Sequence, residues 1–283
     1  MLRALLLLCL LTTTLSAQDN PAYELYNRSG RKTNFGRMMK DLQEADVVLF
    51  GEYHDNPIAH WMELEVLEHL DEFALGMEMF ETDEQEALTQ FMDGEITLEM
   101  LDSLTGGVWP NFRTDYLPIL ELAKRDSSKV YATNTPRRFA RLVFQRGFVV
   151  LRGLPDKDQL LLPPLDPVPY DPELPGYKAM RVEGHGSPHG GENFPKAQAI
   201  KDATMAWFIT KNAWAGVPFV HLNGSYHSDN FEGISWYLRQ YKPQLRVVTI
   251  TTLQQPDISS LLPESTGKAD YTLLVPSNMT RTY

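Results

Sequence analysis

The stretch Val47-Val48-Leu49-Phe50-Gly51-Glu52-Tyr53-His54-Asp55-Asn56-Pro57 decides the fold. Its first four residues are a short, continuous apolar run, the pattern of a strand buried on both faces of a parallel sheet. Asn56 suits a helix N-cap and Pro57 the first helical position. Beyond them Ile58, Trp61, Leu64, Leu67 and Leu70 recur at helical spacing. A strand that ends in Gly-x-x-His places its histidine at the carboxyl edge of a sheet, where open α/β folds bind ligands. A second stretch repeats the arrangement. Phe219-Val220-His221-Leu222 runs into Gly224-Ser225-Tyr226-His227, and a helical pattern follows.

Outward from these two stretches the same alternation continues. Strands are expected over Phe73–Phe80, Val130–Asn134, Val217–Leu222, Leu245–Thr251 and Tyr271–Val275. Between them lie helical patterns over residues 34–44, 82–92, 97–104, 114–125, 136–147, 195–214 and 230–241. Residues 23–34, with the turn signal Arg28-Ser29-Gly30-Arg31, read as an edge hairpin or short strands. The pattern predicts an α/β fold with a largely parallel central sheet flanked by helices. Residues 151–191 interrupt it with frequent proline and a terminal Gly/His run. This irregular insertion is expected to be a lid or cap on a single domain spanning 18–283.

Composition narrows the function. The 283 residues are 43% hydrophobic and 11% aromatic, enough for a sizeable core. A net charge of -11 excludes nucleic-acid binding and polybasic membrane attachment, both of which need a surplus of Lys and Arg. Residues 1–17 read as a secretory signal peptide: Arg3, an apolar Ala4–Leu11 core, and Leu15-Ser16-Ala17 before Gln18. The mature protein is therefore expected to be exported, periplasmic or extracellular. Cys9 is the only cysteine, and Leu6-Leu7-Leu8 before it fits a lipid-anchor signal poorly. Cleavage leaves no cysteine for disulfides, thiolate ligands or nucleophiles.

The chemistry concentrates at strand ends. Glu52 and His54, Glu78 within Met77-Glu78-Met79, Asn134, and His227 all fall at carboxyl ends of expected parallel strands. Glu78 is the most telling, because a carboxylate inside an apolar strand costs several kcal/mol unless paired or bound. His54, Glu78 and His227 suit an N/O metal site for Zn, Mn or Fe. With Glu52 they equally suit general acid and base work, as in a metal-dependent hydrolase. His60, on the following helix, is a candidate for a supporting contact. His221 reads as a satisfied core histidine, and His69 as an exposed helix end. Trp61 and Met62 read as packing residues, and His185 and His189 as solvent-exposed. The run from Trp109 to Tyr116 combines aromatic surface with Arg113 and a phenol. It reads either as core or as a wall for a flat apolar ligand with an anionic edge, with Arg113 meeting a carboxylate and Tyr116 able to ligate haem iron. Serine-hydrolase, zincin and nucleotide-loop motifs are absent.

The ordered set Gly51–Pro57 with His60, Gly76–Phe80, Trp109–Tyr116, Asn134–Arg137, Gln198 with Lys201–Ala206, and Gly224–His227 resembles the ChaN-like proteins. These are bacterial haem-binding uptake proteins, usually lipoproteins, of a superfamily shared with Tiki, TraB and erythromycin-esterase-like proteins. The resemblance implies haem as ligand, a homodimer with cofacial haems, and contact with outer-membrane uptake machinery. It carries the superfamily's metal and catalytic positions onto Glu52, His54, Glu78 and His227. It implies tyrosine ligation of the iron, for which Tyr116 is the candidate with Tyr53 behind it. The poor lipid-anchor signal departs from the family pattern.

Overall fold

The computed structural model describes residues 20–183 and 191–283. The signal-peptide reading, and those of His185 and His189, lie outside the described residues. Seven strands are present: β1 (Glu24–Asn27), β2 (Val47–Glu52), β3 (Ala74–Glu81), β4 (Val130–Asn134), β5 (Phe219–Gly224), β6 (Val247–Gln255) and β7 (Tyr271–Pro276). The helices are α1 (Phe35–Gln43), α2 (Pro57–Glu68), α3 (Gln85–Met92), α4 (Leu98–Leu104), α5 (Leu117–Arg125), α6 (Arg137–Arg146), α7 (Asp156–Gln159), α8 (Pro175–Glu183), α9 (Asn193–Asn212) and α10 (Gly233–Tyr241). The strands form one sheet in the order β1-β7-β6-β2-β5-β3-β4. All neighbours are parallel except the β1–β7 pair at one edge.

The sheet is sandwiched between two helical layers, and strand periodicity shows why. Along β2, Val48 and Phe50 point into one core with α1, α2 and α5, while Val47 and Leu49 point into the other with α6, α9 and α10. Every residue of β2 is buried, as a continuous apolar run demands. Asn56 caps α2, accepting from the Ile58 and Ala59 amides, with Pro57 as the first helical residue. Residues 23–34 hold a single short strand, β1, and a lone bridge from Tyr26 to Lys32. The expected hairpin is therefore mostly a turn.

Three local departures bear on the site. First, the buried face of α2 comprises Ala59, His60, Met62, Glu63, Val66 and Leu67, while Trp61 is 41% exposed and meets the Tyr23 ring at a tilt. Second, Asp115 caps no helix: a π-helical turn at Phe112–Tyr116 precedes α5 and turns Asp115 and Tyr116 inward. Third, the insertion packs down. Leu151, Leu162, Val168 and Tyr177 join the second core, and α8 lies against α9. No described helix is long and apolar enough to cross a membrane.

Candidate functional site at the carboxyl edge

β2 and β5 lie side by side in the sheet centre, with Glu52 opposite Gly224 and Gly51 opposite Asn223. The two Gly-x-x-His motifs are thus neighbours offset by one residue. Both glycines are needed for close approach. A Cβ on Gly224 would sit 2.8 Å from His54 Nε2, and one on Gly51 would sit 2.9 Å from the Ser225 Cα. The register between β3 and β4 shifts between Met77 and Glu81. Asn134 Nδ2 there donates to the Glu78 carbonyl at 3.0 Å. An irregularity of this kind re-aims a side chain. Here it accompanies Glu78 facing β5, where Oε2 accepts from the Gly224 amide at 2.8 Å.

Two connected clusters result. In the first, Glu52 Oε1 accepts from Tyr116 Oη and contacts His54 Nδ1, both at 2.6 Å. Glu52 Oε2 lies 3.0 Å from His60 Nε2, and His60 Nδ1 lies 2.9 Å from Asp115 Oδ2. Asn111 Nδ2 ties the cluster down, donating to Asp115 Oδ2 at 2.6 Å and to the His54 carbonyl at 2.8 Å. In the second, His227 Nε2 lies 3.2 Å from Glu78 Oε1, and its Nδ1 lies 2.5 Å from Asp202 Oδ1 on α9. Tyr177 of α8 donates to Asp202 Oδ2 at 2.6 Å. The insertion therefore buttresses the site through Asp202.

The charges follow from these contacts. Burial by itself would raise the Glu52 pKa, but the hydrogen bonds from His54 and His60 bring it down to about 2. Burial opposes a charge on His227 as well. The fields of Glu78 and Asp202 and the bonds to both outweigh it, and its pKa rises to about 10. Glu78 is held far below the ordinary carboxylate range, burial being overcome by His227, His54 and the Gly224 amide. The His54 pKa is raised too, Glu52 and Glu78 outweighing the burial that would lower it. His227 is thus an imidazolium locked between two carboxylates, with both nitrogens engaged.

Each residue expected from sequence can now be placed. Glu52, His54, Glu78 and His227 come together at one edge. His54 alone of the four is substantially exposed, its side chain at 35%. Asn134 holds the Glu78 backbone rather than joining them. Tyr116 is fully buried, with its hydroxyl donating to Glu52. Arg113 points away to Glu99 at 2.9 Å, with 65% of its side chain exposed. Trp109 packs edge-on against both His54 and Tyr116. Tyr53 lines a cavity of about 530 Å³ with Glu52, His54, Asp55, Gly224, Ser225, Tyr226, Gln254, Arg281 and Tyr283. His221 is a core histidine, bonded to Thr133 and Asn223, and burial pushes its pKa down to about 4. Sequence reasoning missed Asp115, Asp202, Glu63, Tyr177 and the tail residues Arg281 and Tyr283. Asp202 was readable as an acidic residue on the buried stripe of a long helix. The tail offers no pattern.

Fold and site together define an α/β protein with a tightly paired carboxylate–histidine site and a ligand-sized cavity above it. The profile described as "Haem-binding uptake, Tiki superfamily, ChaN" matches residues 38–238, and the chain belongs to that family. A structure of ChaN from Campylobacter jejuni with cofacial haem binding superposes with a TM-score of 0.65 at 18% identity, covering 91% of this chain and 98% of that one. An erythromycin esterase, EreC, in its open conformation gives a TM-score of 0.45 at 10% identity, covering 89% of this chain and 82% of that one. Protein RETICULATA-RELATED 5, chloroplastic, of Arabidopsis thaliana is 30% identical over 139 residues, 45% of this chain. The chain spans 18% of that relative's length.

Proposed function

We propose that this protein is an exported haem-binding protein of iron acquisition that takes haem in the cavity above β2 and β5. The observation that carries the reading is the cavity's wall. The imidazole of His54, 35% exposed at its side chain, borders one cavity together with Tyr53, Tyr226 and Tyr283, the Tyr226 hydroxyl donating to Met180 Sδ at 3.2 Å. Phenol and imidazole are the oxygen and nitrogen groups that hold haem iron, which supplies the redox-active metal to be carried. Arg281, 3.0 Å from Asp55, brings a guanidinium to the rim, suited to a propionate. The cavity volume lies in the range of small-molecule and cofactor sites. The residues present fit haem.

Haem titration of the mature chain tests this. A saturable Soret shift is expected, weakened in His54→Ala and in Tyr226→Phe. No shift in the wild-type protein overturns the reading. The cofacial arrangement named for the Campylobacter jejuni protein supports a homodimer on loading, expected as a haem-dependent doubling of mass in sedimentation velocity. Contact with outer-membrane uptake machinery belongs to the same proposal.

One observation favours a second reading, hydrolysis. His54 and Glu52 form a carboxylate–imidazole pair at 2.6 Å beside an open cavity. Ester and peptide substrates turned over by the wild-type protein but not by His54→Ala would support it; no turnover with any added divalent metal would remove it.

A further inference from the structure

Beneath Glu52 the structure holds a group of side chains that neither haem binding nor the strand-edge pairs employ. Glu63, one turn of α2 after His60, is fully buried, and neither carboxylate oxygen has a hydrogen-bond donor. Glu52 Oε2 has the His60 ring beside it, 3.0 Å from Nε2. Ligand atoms of Glu52, His60 and Glu63 lie within 4.8 Å of one another.

The hydrogens of the neighbours are already placed elsewhere. Tyr116 donates to Glu52 Oε1 at 2.6 Å, so its proton is not aimed at His60 Nε2, 3.3 Å away. His60 Nδ1 faces Asp115 Oδ2 at 2.9 Å, and Asp115 is fixed by Asn111. The His60 ring is thus held between two carboxylates, Asp115 at Nδ1 and Glu52 at Nε2. Glu63 lies alongside, a further buried carboxylate close enough for one cation to touch Glu52, His60 and Glu63 together. Acceptors facing acceptors in a dry interior need positive charge between them. No lysine or arginine supplies it, since none pairs with Glu52, Glu63 or Asp115 among the described residues.

We propose that Glu52, His60 and Glu63 form a buried site for one divalent transition-metal cation, with Asp115 orienting His60. One nitrogen and carboxylate oxygens suit Zn²⁺ or Mn²⁺. The Asp115–His60 contact is the carboxylate–histidine arrangement that orients metal ligands. Ligand distances of about 2.1 Å require only small side-chain closure from the observed spacing. Glu52 reaches the cavity wall and offers the way in. This site is separate from the His54–Glu78–His227 set expected from sequence, and it does not depend on the haem reading.

The test uses the haem-free full mature chain, stripped with chelator and dialysed against Zn²⁺ or Mn²⁺. One equivalent of metal is expected, with a rise in Tm. Glu63→Gln should abolish tight binding, and Asp115→Asn should weaken it about 10–100-fold. Glu78→Gln should retain it. Should Glu63→Gln fold poorly, Co²⁺ absorption of the wild-type protein reports whether one nitrogen and several oxygens surround the metal. Shared protons only would overturn the proposal: no metal retained, no Tm rise, and Glu63→Gln at least as stable as wild type. Metal bound equally by wild type and Glu63→Gln, and lost in Glu78→Gln, would also overturn it. Haem affinity measured on the same stripped samples reads the haem proposal separately.

Discussion

At the scale of residues, the site is governed by what lies behind each histidine. Asp202 is fully buried and 2.5 Å from His227 Nδ1, so it sets the charge of that imidazole. The folded pKa of His227, about 10, stands above the ordinary 6.5. The stability it contributes is therefore fully present below pH 6.5 and is lost as pH rises through about 10. Replacing Asp202 by Asn removes one of the two carboxylates and moves the folded pKa back down. Urea denaturation should show the gap between wild type and Asp202→Asn widest below pH 6.5 and closing toward pH 10. A gap that does not vary with pH would mean that Asp202 acts by packing alone. Tyr116 makes a different prediction. Its buried hydroxyl donates to the Glu52 carboxylate, so Tyr116→Phe should cost about 1–3 kcal/mol of stability. The same variant should bind haem with unchanged Soret amplitude. Loss of the band would restore Tyr116 as an iron ligand.

At the scale of elements, β2 and β5 owe their proximity to glycine. Gly224→Ala places a methyl 2.8 Å from His54 Nε2 and 3.0 Å from its Cε1. The expected outcome is a folded protein, destabilised by about 1–3 kcal/mol, with His54 displaced and the haem titration weakened. An unchanged titration would show that His54 does not contribute to binding. The strands and their edge were legible because a continuous apolar run followed by Gly-x-x-His has few other readings. Helix α2 was not. Apolar residues surround it nearly all the way round, so periodicity could not say which side faced the sheet. His60 and Glu63, which a surface stripe would have excluded, ended inside, and Trp61 ended outside. The same blindness applied at Thr114–Asp115, where a capping pattern concealed a π turn that buries Asp115. Pairings such as Asp202 with His227 join positions 25 residues apart across a helix and a loop, and local pattern carries no trace of them. The Pro/Gly-rich insertion read as irregular, yet its described part carries α7 and α8 and packs into the second core. Its role as a support for Asp202 through Tyr177 depends on packing that composition does not encode.

At the scale of the molecule, the strand order has its own logic. β5 lies between β2 and β3, yet it follows β4 in the chain by more than eighty residues. Its two neighbours are therefore made long before it, and until it arrives each presents a bare edge of backbone donors and acceptors. A chain ending at residue 216 should retain α1 to α9 in sequence but associate through those edges, which light scattering against the full-length protein would show. A monodisperse, folded fragment would mean that β2 and β3 pair directly in its absence. Insertion of a central strand late in the sequence also makes folding depend on distant contacts, and such topologies fold slowly. During synthesis the half-built sheet stays open until residue 224 has emerged. Only then do Glu52, Glu78 and Gly224 meet, and β6 and β7 complete the sheet on the far side of β2 afterwards. A molecule lacking β5 would hold only the Glu52–His60–Asp115 cluster, so binding in the cavity above β2 and β5 would count correctly closed molecules.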